Sequence, residues 1–184
     1  MDKTVIRSFT IADFEEEEIW LREKHKSGWK LKKMIPPCEY IFESCEPKDV
    51  IYRLDYRNAE KTNDYLQMYK DFGWEYFTEC AGWMYFRKPA EKVDSEADGE
   101  LFSDNTSRSD MVRNIVKTRF LPLTVIFLCC IVPNLFFIIR NGNSISGILP
   151  YFIGGVFSIL FVINLVLLIH CSIKLIKIIN KYRD

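Results

Sequence analysis

The sequence predicts an α+β fold. A duplicated strand–helix–strand–strand unit forms one sheet with helices on one face, and a two-span transmembrane α-hairpin follows. Three observations carry this. Residues 73–89 read as two aromatic strands joined at Ala81-Gly82, directly after a helix stop. Laid over itself with a 45-residue shift, the first half of the chain matches the second without gaps. Val5-Ile6 falls on Val50-Ile51, Asp13 on Asn58, Leu21 on Leu66, Gly28-Trp29 on Gly73-Trp74 and Tyr40 on Tyr85. Finally, the uncharged runs 120–139 and 148–169 are each long enough, at ~1.5 Å per residue, to cross a hydrocarbon core of ~30 Å.

Within a cytosolic domain over 1–90, the two repeats cover about 4–45 and 49–89. Thr4–Phe9 is a β-branched and aromatic strand. Asp13 is placed to cap a helix with its carboxylate, with Glu16 in the capping-box position. Glu15, Glu16, Glu17 and Glu18 suit the first turns, where the helix dipole favours negative charge. Consecutive helical positions fan around the axis, so these acids read as a solvated face and not as a metal site. Ile19-Trp20-Leu21 offers packing surface, and Gly28 ends the helix. Trp29–Met34 and Glu39–Glu43 are strands separated by Pro36-Pro37. In Val50–Tyr56, alternation puts Val50, Tyr52, Leu54 and Tyr56 on one face. Asn58 caps the next helix, whose Tyr65, Tyr69 and Phe72 share a stripe, and Gly73 stops it.

Residues 91–110 carry seven acids against two bases and read as an acidic flexible linker. The hairpin occupies 111–184, opening with a short basic helix, Met111–Arg119. Arg113, Lys117, Arg119, Lys174, Lys177, Lys181 and Arg183 flank the outer limits of the two spans, while Arg140 alone marks the polar connection 141–147. The positive-inside rule then gives a multi-pass protein of the cell membrane with both termini cytosolic. Lys174, Lys177 and Lys181 share one helical face at headgroup level, which points to anionic lipid as a partner beside the bilayer itself. Inside the spans, Asn134 lies level with Gly154-Gly155, and Asn164 level with Thr124. Each asparagine is expected to hydrogen-bond across the hairpin, with Gly154, Gly155 and Ser158 allowing close approach.

Charge is divided unevenly: residues 1–90 hold 15 basic and 17 acidic side chains, whereas 111–184 holds eight basic and one acidic. The slightly acidic domain argues against nucleic acid, although Trp29 sits beside Lys30, Lys32 and Lys33. No secretory signal precedes the domain, and the six cysteines lack metal-ligand spacing, so reduced structural thiols are expected. His25 and His170 are the only histidines and complete no catalytic constellation. No metal, no cofactor and no enzymatic activity are expected. The aromatic set Trp29, Tyr40, Tyr52, Trp74, Trp83 and Tyr85 has two readings. One is core, which suits Trp29 and Trp74. The other is a ligand-binding cleft between the repeats for a small organic or cationic effector, walled by Tyr40, Tyr52, Trp83 and Tyr85 and anchored by Arg53, Asp55 and Arg87.

Phe14 through Trp20, Gly28-Trp29-Lys30-Leu31-Lys32-Lys33, Ile51-Tyr52-Arg53-Leu54-Asp55-Tyr56 and Gly73-Trp74 through Gly82-Trp83-Met84-Tyr85-Phe86-Arg87-Lys88-Pro89 resemble a bacterial membrane-protein family, the domain of unknown function 2812. The resemblance covers about the first 90 residues. It implies C-terminal membrane spans and a regulatory setting near winged-helix regulators of the PadR type, and it supplies no catalytic residues. By topology the doubled unit is also similar to effector-binding domains of multidrug-sensing regulators. The expected function is a membrane-tethered cytosolic sensing or regulatory module. The alternative is an accessory or scaffold subunit of another membrane protein such as a transporter.

Overall fold

The computed structural model describes residues 1–56, 63–95, 97–101, 105–141 and 149–181. The Asn58 cap and most of the polar connection lie outside the described residues. The first half runs β1 (Asp2–Ile6), α1 (Phe14–Lys26), β2 (Trp29–Ile35), β3 (Glu39–Ser44), β4 (Val50–Tyr56), α2 (Asn63–Asp71), β5 (Glu75–Cys80), β6 (Trp83–Pro89). Gly28 and Gly73 follow the two helices with φ of +82° and +81°. The β5–β6 turn has positive φ at both central residues, Ala81 (50°) and Gly82 (84°), the geometry that matches strand twist in a two-residue hairpin.

The strands form two antiparallel three-stranded sheets, ordered β1-β3-β2 and β4-β6-β5. The expected single sheet is therefore split. β2 and β5 run beside each other at the junction, but no ladder joins them. Each carries a bulge, between Leu31 and Lys33 in β2 and between Tyr76 and Thr78 in β5. A bulge bends and twists its strand, which keeps two facing edges from zipping together. β2 points the same way as β4. Leu31 lies at the Tyr52 hydroxyl, and Met34 Sδ is 3.2 Å from the Tyr85 hydroxyl, whose residue pairs with Leu54 further along β4.

The expectation of helices on one face is also corrected. α1 packs between the first sheet and the Tyr52–Leu54–Tyr56 face of β4, against Leu31, Tyr40, Phe42 and Tyr85. α2 covers the opposite face through Tyr65, Leu66 and Tyr69, over Ile51, Trp74, Met84 and Phe86. Both faces of β4 are consequently buried, all residues but Arg53. Phe72 falls one residue past the end of α2 and is 64% exposed, so it leaves the expected stripe. Ile19 faces out as well, while Leu21 enters the core.

The described part of the expected linker is docked. Lys88, nearly fully buried, donates to Asp98 Oδ1 at 2.7 Å, and Leu101 joins the cluster around Ile51 and Phe86. Glu100 accepts from Arg53 at 2.8 Å and from Arg108 at 2.5 Å. Asp98 and Glu100, two of the acids that read as solvating, are counter-ions to Lys88 and Arg53 of the domain.

Two helical rods follow. α3 (Asn105–Ile115), α4 (Leu121–Ile126) and α5 (Val132–Asn141) are joined by π-helical turns at Val116–Phe120 and Phe127–Ile131, and α6 (Leu149–Lys181) is continuous. Both rods, Ser107–Arg140 and Phe152–Lys181, are long and apolar enough to cross a membrane. They touch where Phe127 meets Phe161 and where Gly154 backs onto Ile138, close enough that a Cβ there would lie 3.0 Å from the isoleucine Cγ2. A Cβ on Gly155 would meet nothing within 4 Å beyond its own helix backbone. Among the described residues, no hydrogen bond crosses the hairpin. Asn134, Ser158, Asn164 and Thr124 bond instead to the carbonyls of Cys130, Gly154, Leu160 and Phe120 in their own helices. In an apolar setting the carbonyl four residues back is the nearest acceptor for a short polar side chain. Beyond the apolar runs, Met111, Val112 and Ile115 of α3 and Cys171, Leu175 and Ile178 of α6 enter the main core of the α+β domain.

Candidate functional site

The acidic run at the start of α1 is where these parts meet. Phe14, Leu21 and His25 are buried on one face of the helix, and their spacing places Glu17 and Glu18 on that face too. Both carboxylates are buried, at 6% and 4% exposure, so the solvated-face reading is corrected for them. The fan-like geometry was right, but every direction is occupied.

Glu17 joins the two sheets. Its Oε1 accepts from Tyr40 Oη of β3 and from Tyr85 Oη of β6, each at 2.9 Å. Burial pushes its carboxyl up to about 7, against the opposing pull of the two phenol hydrogen bonds. Burial drives both phenols far above the ordinary tyrosine range, and the Glu17 charge adds to it. Glu18 faces β4: Oε1 accepts the Leu54 N–H at 2.8 Å and Oε2 accepts from Arg53 at 3.3 Å. Its carboxyl is also raised to about 7 by burial, with Arg53 and Arg108 acting in the other direction. In the last turn of α1, His25 Nδ1 shares a 2.8 Å hydrogen bond with the Tyr52 hydroxyl. Burial lowers His25 to about 4 and raises Tyr52 to about 12.

The other acids of the run, with Asp13 before them, face the two apolar rods. Asp13 does not cap α1 with its side chain; its carboxylate accepts from Thr10 N–H at 2.7 Å, from Lys174 and from His170 at 3.2 Å. Burial raises this carboxyl, but the hydrogen bonds from Lys174 and Thr10 outweigh it and hold it well below the usual range. Glu16 takes Lys174 at 2.5 Å in place of a capping-box bond. Glu15 receives Arg108 at 3.3 Å and Lys181 at 3.2 Å. Two of the three lysines expected on lipid headgroups thus sit on α1 carboxylates; Lys177 is exposed.

Of the expected cleft residues, Tyr40, Tyr52 and Tyr85 are at most 1% exposed and form core. Arg53 serves Glu18 and Glu100, and Asp55 accepts from Tyr65 of α2 on the far face of the sheet. Arg87 forks onto Glu75 at 2.8 and 2.6 Å and lies over the Phe77 ring. Trp83 is wedged between Phe14 and Tyr56, with ring centroids at 5.5 and 5.2 Å. Trp74 is core, whereas Trp29 is half-buried with Lys3 over its ring. The set therefore divides between the two cores: Trp29, Tyr40, Tyr52, Trp83 and Tyr85 pack on the α1 side, and Trp74 on the α2 side. Tyr40 and Tyr85 converge, but on Glu17. Among the described residues, no group of three His, Cys, Asp or Glu side chains could hold a metal ion.

No curated protein and no solved structure matches the chain. One family does match, from Asp13 at the start of α1, through β2 to β6 and the docked acidic segment, to Val125 in the first apolar rod. That span is more than half of the chain and extends beyond the first 90 residues, and it takes in α1 together with α3, which its acids hold. The chain belongs to the family described as Protein of unknown function (DUF2812).

Proposed function

We propose that the protein is a membrane-anchored regulatory module in which the soluble domain and the hairpin are mechanically coupled through α1. The single observation that carries this is the two-sided use of the acidic run. Glu17 and Glu18 hold both sheets, while Asp13, Glu15 and Glu16 hold Lys174, Lys181 and Arg108 of the rods. A rearrangement of either side changes contacts of the same short helix segment. In this reading both termini are cytosolic, as the basic residues beside the inner ends favour. The soluble domain is read as a duplicated unit. Supporting this, both halves have the order strand–helix–strand–strand, equivalent sheet orders, and bulges that coincide under the 45-residue shift.

A ligand is not needed for this reading, because the tyrosines of the expected cleft are packed. Lys174→Met in the full chain, held in lipid nanodiscs, tests it by hydrogen exchange. Exchange should quicken together in α1 and in the inner end of α6. Acceleration confined to α6 would refute the coupling. The second reading, an accessory subunit of another membrane protein, has its own support: within the apolar rods Asn134 is exposed and Asn164 half-buried, where a partner helix could receive them. Asn134→Leu with Asn164→Leu should abolish its complexes in detergent if that reading holds.

A further inference from the structure

The β2–β3 and β5–β6 turns lie at the same end of the molecule, because β2 and β5 both run in the direction of β4. They are also level. Tyr40 and Tyr85 grip the same Glu17 oxygen at the same 2.9 Å, and each lies three residues from its turn, at Pro37 and Gly82. At ~3.3 Å per strand residue, both turns project about 10 Å beyond that oxygen.

The β5–β6 turn marks the height of the membrane surface. Ala81 O accepts from Arg119 Nη2 at 2.8 Å, and Phe120 opens the charge-free run. The direction of the first rod agrees. Arg108 shares Glu100 with Arg53, while Arg119 further along reaches the Tyr56 hydroxyl at 2.7 Å, so the rod descends beside β4 toward this turn.

The level β2–β3 turn presents an apolar tip. Ile6 is 73% exposed and Ile35 38%, and Pro36 and Pro37 are exposed between the strands. In the strand register Ile6 and Ile35 flank Glu39, and the exposed cations Arg7 and Lys33 stand beside them. The two prolines carry no N–H, so this backbone brings fewer unsatisfied donors into a weakly polar layer. We propose that the tip formed by Ile6, Ile35, Pro36 and Pro37 is seated in the headgroup–acyl boundary of the bilayer. It is a second, non-spanning membrane contact for the soluble domain, with Arg7 and Lys33 at phosphate level. This rests on the reading of the two rods as membrane spans.

The test uses the full chain in nanodiscs, with a small fluorescent amino acid introduced by codon suppression at Ile35, Lys48 or Thr124, one site at a time. Lipids carry a nitroxide quencher either near the ester group or near the methyl end of the acyl chain. The probe at Ile35 should lose emission, more with the shallow quencher than with the deep one. The probe at Lys48, in the exposed loop at the opposite end of β4, should be unaffected. Should the label at Ile35 disturb the hairpin, the probe at Ile6 must give the same result. If both tip positions behave like Lys48 while Thr124 is quenched, the tip contact is overturned and the spans stand. If Thr124 also escapes quenching, the membrane reading fails and takes the tip contact with it.

Discussion

Glu17→Gln should remove part of the pH dependence of stability. In the unfolded chain a glutamate titrates near 4.5, and in the fold burial raises Glu17 to about 7. A raised carboxyl favours the folded state fully below 4.5, and that contribution is lost as pH rises through 7. Between pH 6 and pH 8 a group titrating near 7 changes the folding free energy by about 1.4 kcal/mol. Glu18, raised by burial to the same value, contributes a similar amount. His25 works the other way. Its folded value is depressed to about 4, so its contribution is present above 6.5 and declines as the solution is acidified. Over this interval it offsets about 1 kcal/mol. The wild-type chain should thus be more stable at pH 6 than at pH 8 by roughly 2 kcal/mol. Glutamine keeps an oxygen acceptor for Tyr40 and Tyr85 but does not titrate, so the gap should shrink by about 1.4 kcal/mol. His25 and Glu18 are common to both proteins and cancel in the comparison. The assay is denaturant unfolding of the full chain in detergent micelles at the two pH values, followed by tryptophan fluorescence. An unchanged gap in the variant would refute the assignment of the buried proton to Glu17.

Three further outcomes are expected. Trp74→Ala should cost roughly 3–5 kcal/mol, the range for truncating a buried large aromatic, with Trp83→Ala intermediate and Trp29→Ala least; unfolding of the three variants checks the order, and a tolerant Trp74 would contradict it. Asp98→Asn leaves the buried Lys88 ammonium without its carboxylate and should cost on the order of 2–4 kcal/mol while exposing 91–101 to limited proteolysis; an unaltered digestion pattern would show that this ion pair does not hold the segment. A cysteine placed at Asn143 should react with an impermeant maleimide applied to intact cells, while one at Lys48 should not; the reverse pattern would invert the topology.

Local structure was legible wherever a residue's own chemistry decides it. Positive φ at Gly28, Gly73 and the Ala81-Gly82 turn, the bounds of β4 and the two apolar rods follow from side-chain type and spacing, whereas the first strand, expected over Thr4–Phe9, runs over Asp2–Ile6. Tertiary placement was less legible. The split of the sheet depends on two bulges, and a bulge is invisible to a period-two pattern that tolerates one extra residue. The acidic segment after Pro89 read as solvated because composition cannot report that Lys88 and Arg53 of the domain would lie opposite Asp98 and Glu100. Glu17 and Glu18 carried a usable signal that charge obscured. They lie on the helical face defined by Phe14, Leu21 and His25, and the 45-residue shift that aligns Tyr40 with Tyr85 names the two hydroxyls that meet Glu17. The asparagines of the rods were misread because a carbonyl in the same helix competes with any partner across the hairpin.

The unbroken length of α6 has a consequence for how the protein responds to its lipid surroundings. Its 33 residues extend about 50 Å, against a hydrocarbon layer of ~30 Å. The surplus is a stiff arm ending at Lys181, fastened to Glu15 with no hinge between it and the span. A helix too long for its bilayer tilts, and the tilt grows as the bilayer thins. With an arm of ~20 Å outside the hydrocarbon, a change of tilt of about 10° displaces the arm's end by roughly 3.5 Å, enough to break a salt bridge. In the membrane-anchored reading proposed above, bilayer thickness is thereby converted into the making or breaking of ion pairs on the soluble domain, and thin or thick lipid mixtures become a control variable for its state.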